Sequence, residues 1–291
     1  MKHSWNNRVR TRQKKRLILR TAAVILVCGI AGGVAMHCAQ ARQEEEAARE
    51  AWQQEEQKEQ AKEKDRQLSP EEEKQARIAQ VKEQAREEGC PEEVIALIDK
   101  NEETLDFVQN YMANKDRPIP DTVEAPATAG QIPHYLQWDE RWGCAPYGTG
   151  TIAANGCGPT CMSMVIVGLT GDTTATPYRL VQYSEQNGFI DEENNTYWAL
   201  MDSAARQWGL SCREGMMDEA TLAAELGAGH PVICSMLPGD FTDVGHFLVL
   251  TGYADGQVTL NDPFSIANTQ KTWTYAEIKD QIKEMWTFSA G

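Results

Sequence analysis

Five consecutive residues, Gly156-Cys157-Gly158-Pro159-Thr160, constrain this chain more than any other stretch. They are followed by Met162, Val165, Ile166 and Leu169 at helical spacing and then by Gly171. That order predicts a buried helix that begins near Cys157, tolerates Pro159 in its first turn and stops at Gly171. A cysteine at a helix N-terminus lies at the positive end of the helix dipole, which favours the thiolate over the thiol. Such a position suits a nucleophile. A buried structural cysteine is the plain alternative, so the reading depends on what else the chain brings to Cys157.

A thiolate needs a base that later protonates the leaving amine, and histidine titrates in the right range. Downstream of Cys157 stand only His230 and His246. His230 precedes Pro231 in a turn leading into the predicted strand Val232–Met236. His246 instead opens the apolar run Phe247-Leu248-Val249-Leu250. Ala254-Asp255-Gly256 is a hairpin turn, and Gln257-Val258-Thr259-Leu260 returns as the partner strand. Antiparallel pairing then brings Asn261 and Asp262 within a few residues of His246. Asp262, with Asn261 as a variant, is placed to hold one imidazole nitrogen while the other faces the thiol.

Four motifs carry a resemblance: Gln137-Trp138-Asp139-Glu140-Arg141-Trp142-Gly143, Gly156-Cys157-Gly158-Pro159-Thr160, Gly245-His246-Phe247 and Asn261-Asp262-Pro263. In order and spacing they resemble the papain-like cysteine peptidase superfamily, and within it the domains similar to the double-glycine leader peptidases of bacteriocin exporters. The resemblance covers about Ile132 to Phe288. It implies an α+β fold in which the nucleophile's helix packs on an antiparallel β-sheet carrying the histidine and the aspartate. It also implies peptide-bond hydrolysis through a thioester, and an oxyanion hole completed by a glutamine upstream of the nucleophile. Six residues before Cys157 stands Thr151, and the nearby upstream glutamines are Gln131 and Gln137, of which Gln137 is the candidate. The exporter-linked peptidases are fused to a transporter and this chain is not, so double-glycine specificity does not carry over.

Charge bears on partners and placement. The formal charge is −15, yet Met1–Arg20 contains Lys2, Arg8, Arg10, Arg12, Lys14, Lys15, Arg16 and Arg20 and no acid. The acidic remainder carries no basic stripe, which argues against nucleic acid as a partner. The basic block leads into Leu17–Met36, a run of about the length that spans the hydrocarbon core. This predicts a single-pass membrane anchor with the catalytic domain outside, or a signal peptide cleaved after Ala41, because Ala39-Gln40-Ala41 is a small-x-small site. His37 makes a poor lipidation context for Cys38.

The organisation follows. Residues 1–41 are the basic tail and membrane or signal segment. Residues 42–68 are a charged stalk, helical by propensity or disordered, in which Trp52 is the only large apolar side chain before its final residue. Residues 69–114 are short helices opening on the capping box Ser69-Pro70-Glu71-Glu72. Residues 115–130, with Pro118, Pro120 and Pro126, are a linker, and 131–291 form the peptidase domain. Eight cysteines without a Cys-x-x-Cys pair suggest neither a zinc ribbon nor a thioredoxin-type site. No metal or cofactor is implied. Cys144 and Cys212 are candidates for a disulfide, Cys161 for core filling, and Trp138, Trp142, Trp198 and Trp273 for core or groove. The expected function is an exported, membrane-anchored cysteine peptidase acting on a peptide or protein substrate through Cys157, His246, Asp262 and Gln137. The alternatives are an amidase, isopeptidase or transpeptidase with the same residues, and a non-catalytic binding module.

Overall fold

The longer helices of this chain precede residue 209, and every strand of its six-stranded sheet follows it. The computed structural model describes residues 45–58, 68–128 and 130–291. Met1–Glu73 and Lys74–Gly291 are separate compact units. In the first, residues 45–58 are helical with every residue exposed. There too the predicted capping box forms: Ser69 N–H and Oγ–H both donate to Glu72 Oε2 at 2.8 Å, and Glu72 N–H donates to Ser69 Oγ at 3.3 Å. It starts α1, Pro70–Glu87.

Gly89-Cys90-Pro91 ends α1, after which come α2 (Glu92–Ile95), α3 (Leu97–Lys100), a 3-10 turn (Glu102–Thr104) and α4 (Leu105–Asn114). Ile78, Val81, Val94, Ile95, Leu97, Ile98, Phe107 and Val108 from these helices form one buried cluster that includes Ala153 and is packed by Trp138 and Phe264. The helices are thus built onto the sheet-bearing part by apolar burial, with Lys82 paired to Asp99 and Arg77 to Asp106 at the rim. Exposed pairs of this kind add little to stability.

The second half opens with a short hairpin, β1 (Pro146–Tyr147) and β2 (Gly150–Thr151), then α5 (Ile152–Asn155) and α6 (Cys157–Thr170). Gly156 separates the last two because a Cβ there would lie 2.6 Å from both Cγ2 and O of Ile152, so only glycine passes. α6 is apolar on nearly every side and nearly every residue is buried, as a central helix must be. It ends at Gly171 in the left-handed region, φ 72°, as expected from the sequence. α7 (Pro177–Gln186) and α8 (Ala199–Gln207) pack beside it.

Six antiparallel strands form the sheet: β3 (Leu210–Glu214), β4 (Val232–Met236), β5 (His246–Ala254), β6 (Gln257–Asn261), β7 (Trp273–Thr274) and β8 (Ile282–Ala290), in the order β3-β8-β4-β5-β6-β7. α6 lies against the face presenting Ile233, Phe247, Val249, Trp286 and Phe288. The other face presents Leu248, Leu250, Val258 and Leu260 to α9 (Glu219–Gly227) and α11 (Tyr275–Ile278), while α10 (Ile266–Gln270) follows β6. The α+β expectation holds.

The membrane part of the expectation is corrected. Among the described residues no helix is long and apolar enough to cross a membrane. α1 has 18 residues but carries glutamate, lysine or arginine on every turn, which the hydrocarbon core excludes. The stretch Leu17–Met36, Cys38 and the Ala39-Gln40-Ala41 site lie outside the described residues. The reading of a single-pass, exported chain with the membrane as partner is corrected accordingly: no described helix supplies the span. What stands is an α+β fold with helices packed on an antiparallel sheet.

Candidate active site

Cys157 is the first residue of α6, so its backbone N–H is one of the groups that a helix leaves without an internal partner. The side chain is half-buried and lies in a cleft of about 440 Å³ that Gln137, His246, Asp262 and Phe264 also line. His246 is the first residue of β5 and 8% exposed. Its Nε2–H donates to Oδ1 of Asp262 at 2.7 Å, and Asp262 is 1% exposed. With Nε2 so used, Nδ1 is the nitrogen left to serve the Cys157 sulfur, whose thiolate His246 favours.

The electrostatics follow from these contacts. Burial pushes the Cys157 thiol up, but the His246 hydrogen bond and charge, with the backbone N–H groups of Phe247 and Gly158, outweigh it and hold the thiol below its ordinary value. Burial pushes His246 down, and the Asp262 carboxylate and the thiolate more than reverse this, raising it well above the usual imidazole range. Burial likewise pushes Asp262 up, while the His246 charge and hydrogen bond, Asn268 and the Phe264 N–H bring its carboxyl below the usual range. All three shifts favour the charged form, in the direction that a thiolate–imidazolium pair with a carboxylate behind it requires.

Asp262 lies just beyond β6, and its face is set by a β-bulge. The hairpin begins as predicted, with Asp255 and Gly256 at φ 53° and 78°. Pairing then runs Gly252 with Thr259 but Leu250 with Leu260, so Thr251 is bulged out. Val249 faces Asn261, and extension of that register puts Asp262 opposite Leu248, on the same face as His246 two residues away. Asn261 points elsewhere, donating from Nδ2 to the carbonyls of Ile132 and Pro133 at 3.2 and 2.9 Å.

Gln137 is 3% exposed. Its Nε2 donates to Ala153 O at 2.7 Å and its Oε1 is buried without a partner, so the second Nε2 hydrogen is uncommitted by the contacts of this side chain. Its backbone N–H donates to Pro263 O at 2.7 Å, tying it to the Asp262 segment. Gln131 is exposed and does not line the cleft; Thr151 caps α5. His230 is bonded to Glu225 at 2.8 Å, away from Cys157.

Several residues of the site carry no sequence signal. His134 donates from Nε2 to Asp262 O at 2.7 Å, and burial keeps its ring below the usual imidazole value. Asn268 Nδ2 donates to Asp262 Oδ2 at 2.8 Å, and Asp262 N–H donates to Thr269 Oγ1 at 2.9 Å. The Phe264 ring stands edge-on to His246, with centroids 6.5 Å apart. Cys161, one turn after Cys157, is buried, and burial pushes its thiol far up, which makes it inert. Among the described residues every cysteine is free; Cys144 packs with the helical cluster that contains Cys90, whereas Cys212 lies on β3, so they are not a pair. None of Trp138, Trp142, Trp198 and Trp273 lines the cleft.

A cysteine heading a central helix and facing a histidine and an aspartate on an antiparallel sheet is the papain-like arrangement. The chain belongs to the Peptidase C39-like family, whose sequence profile matches residues 130–290. The resemblance to the double-glycine leader peptidases read from the motifs is thereby upheld. The chain is similar to the peptidase domain of Streptococcus ComA, a bi-functional ABC transporter involved in a quorum-sensing pathway, at 16% identity over 47% of this chain and 93% of that one, with a TM-score of 0.37. It is also similar to a C39-like peptidase of Bacillus anthracis, at 15% identity over 56% of this chain and 96% of that one, with a TM-score of 0.38. No curated protein matches it.

Proposed function

We propose that this chain is a cysteine peptidase in which Cys157 is the nucleophile, His246 the base and acid, Asp262 the orienting acid and Gln137 an oxyanion donor. The observation that carries the reading is that Cys157 and His246 line one cleft, with one imidazole nitrogen of His246 2.7 Å from the buried Asp262 carboxylate. Membership of a C39-like family supports peptide as the substrate class.

The thiolate adds to the peptide carbonyl carbon, and the resulting oxyanion accepts from the Cys157 N–H and the free Nε2 hydrogen of Gln137. Collapse breaks the C–N bond, His246 gives its proton to the departing amine, and the acyl group stays on sulfur. Water, deprotonated by His246, then attacks the acyl carbon and releases the acid. The thiolate and imidazolium are restored. Throughout, Asp262 keeps the Nε2–H tautomer and stabilises the charged ring.

The test combines iodoacetamide alkylation of Cys157 against pH, with the label located by mass spectrometry, and digestion of a mixed peptide library. Alkylation that stays fast well below pH 8, falls in His246→Ala and Asp262→Asn, and accompanies cleavage absent from Cys157→Ala, is the expected result. A Cys157 that reacts like free cysteine, indifferent to both substitutions, sinks the reading.

A further inference from the structure

The segment whose residues bond Asp262 is itself bonded by a part of the chain outside the family's matched region. Phe264, Asn268 and Thr269 each bond Asp262, through a backbone N–H at 2.8 Å, a side-chain amide at 2.8 Å and a hydroxyl at 2.9 Å. All three belong to the segment 264–269. Asn101 Nδ2 donates to Phe264 O at 2.6 Å, beside the Trp138 Nε1 donor at 2.8 Å. The Glu103 carboxylate accepts from Ile266 N–H at 2.7 Å and Ala267 N–H at 2.9 Å, and from Asn101 Nδ2 at 3.0 Å.

These are strong contacts in a weak place. α10 is only five residues long, far below the length at which a helix holds itself, so its first turn depends on partners for its free N–H groups. Ser265 caps α10 by accepting from Asn268 N–H, which leaves the N–H groups of Ile266 and Ala267 to the Glu103 carboxylate. Leu97, Lys100 and Asn101 also line the cleft itself, as does the loop before His246.

We infer that Asn101 and Glu103 are positioning residues of this active site: through the 264–269 segment they set the orientation of Asp262 and hence of His246. The helical stretch that carries Asn101 and Glu103 is then part of the working site, not an appendage to it. This rests on the peptidase reading above, and the test separates the two.

The experiment is the pH profile of Cys157 alkylation in the full chain for Glu103→Ala, Glu103→Gln, Asn101→Ala and Asp106→Ala. Asp106 pairs with Arg77 on the same helices and has no bond to the 264–269 segment, so it reports general loosening. Expected is an upward shift of the Cys157 inflection by about one pH unit in Glu103→Ala, largely reversed in Glu103→Gln and present in Asn101→Ala. Asp106→Ala should keep the wild-type profile. Should Glu103→Ala not fold, Asn101→Ala carries the comparison, since it leaves both carboxylate bonds to α10 in place. Wild-type profiles in Glu103→Ala and Asn101→Ala, or an equal shift in Asp106→Ala, overturn the positioning role and leave the peptidase reading standing. An ordinary thiol profile in the unaltered chain overturns both.

Discussion

His246 and Asp262 are 16 residues apart and meet at 2.7 Å because Thr251 is bulged out of the strand between them and the turn. Strict alternation from the Asp255-Gly256 turn would set Asp262 opposite Val249, on the face away from His246. The apolar cluster enforces the observed register, since Leu250 and Leu260 must share the face that α9 covers.

Insertion of one alanine between Leu260 and Asn261 is expected to turn Asp262 from the His246 face and lower peptide hydrolysis by about 10²–10⁴-fold. Deletion of Thr251 only regularises β5 and keeps Asp262 opposite Leu248, so fast alkylation below pH 8 should survive it. Equal loss in both variants would contradict the register argument.

Gln137→Ala should lower kcat by about 10²–10³-fold, the cost of one oxyanion donor, while leaving the pH profile of Cys157 alkylation unchanged. The two measurements separate two roles: the donor acts on the transition state, whereas alkylation reads only the thiolate. A changed alkylation profile would place Gln137 among the groups that tune the sulfur.

Hydrolysis should be fastest in a pH window set by the pair. The Cys157 thiol is held below its ordinary 9.0, so activity rises as pH passes that depressed value; His246 is raised to about 10, so activity falls as the imidazolium is lost there. For stability the sign runs the same way at the alkaline end. A histidine raised from 6.5 to about 10 contributes fully below 6.5 and loses its contribution as pH climbs through 10. Denaturant titrations of wild type and His246→Ala should therefore converge between those limits as pH rises.

Ile166, fully buried on α6, should cost about 2–5 kcal/mol when cut to alanine, because the helix is packed on all sides and cannot collapse into the space. Thermal unfolding reads this as a loss of about 2–4 °C per kcal/mol. A change below about 1 °C would mean that the α6 core is loosely packed.

Local rules settled much of this protein in advance. The start of α6 at Cys157 and its stop at Gly171, the capping box at Ser69 and the hairpin turn at Asp255-Gly256 are set by neighbours within one or two turns of chain, and each was readable in the residues themselves. The candidates Cys157, His246 and Asp262 were legible on similar grounds: a helix start marks the cysteine, and a short hairpin limits how far apart the histidine and aspartate can lie. Tertiary structure decided the rest. The bulge at Thr251 chose the face of Asp262, the bond to Ala153 fixed Gln137 in the cleft of Cys157, and Asn101 reached Phe264 across 163 residues. Such contacts leave no period or spacing in a sequence, because they depend on which surfaces the apolar core brings together after every local element has formed.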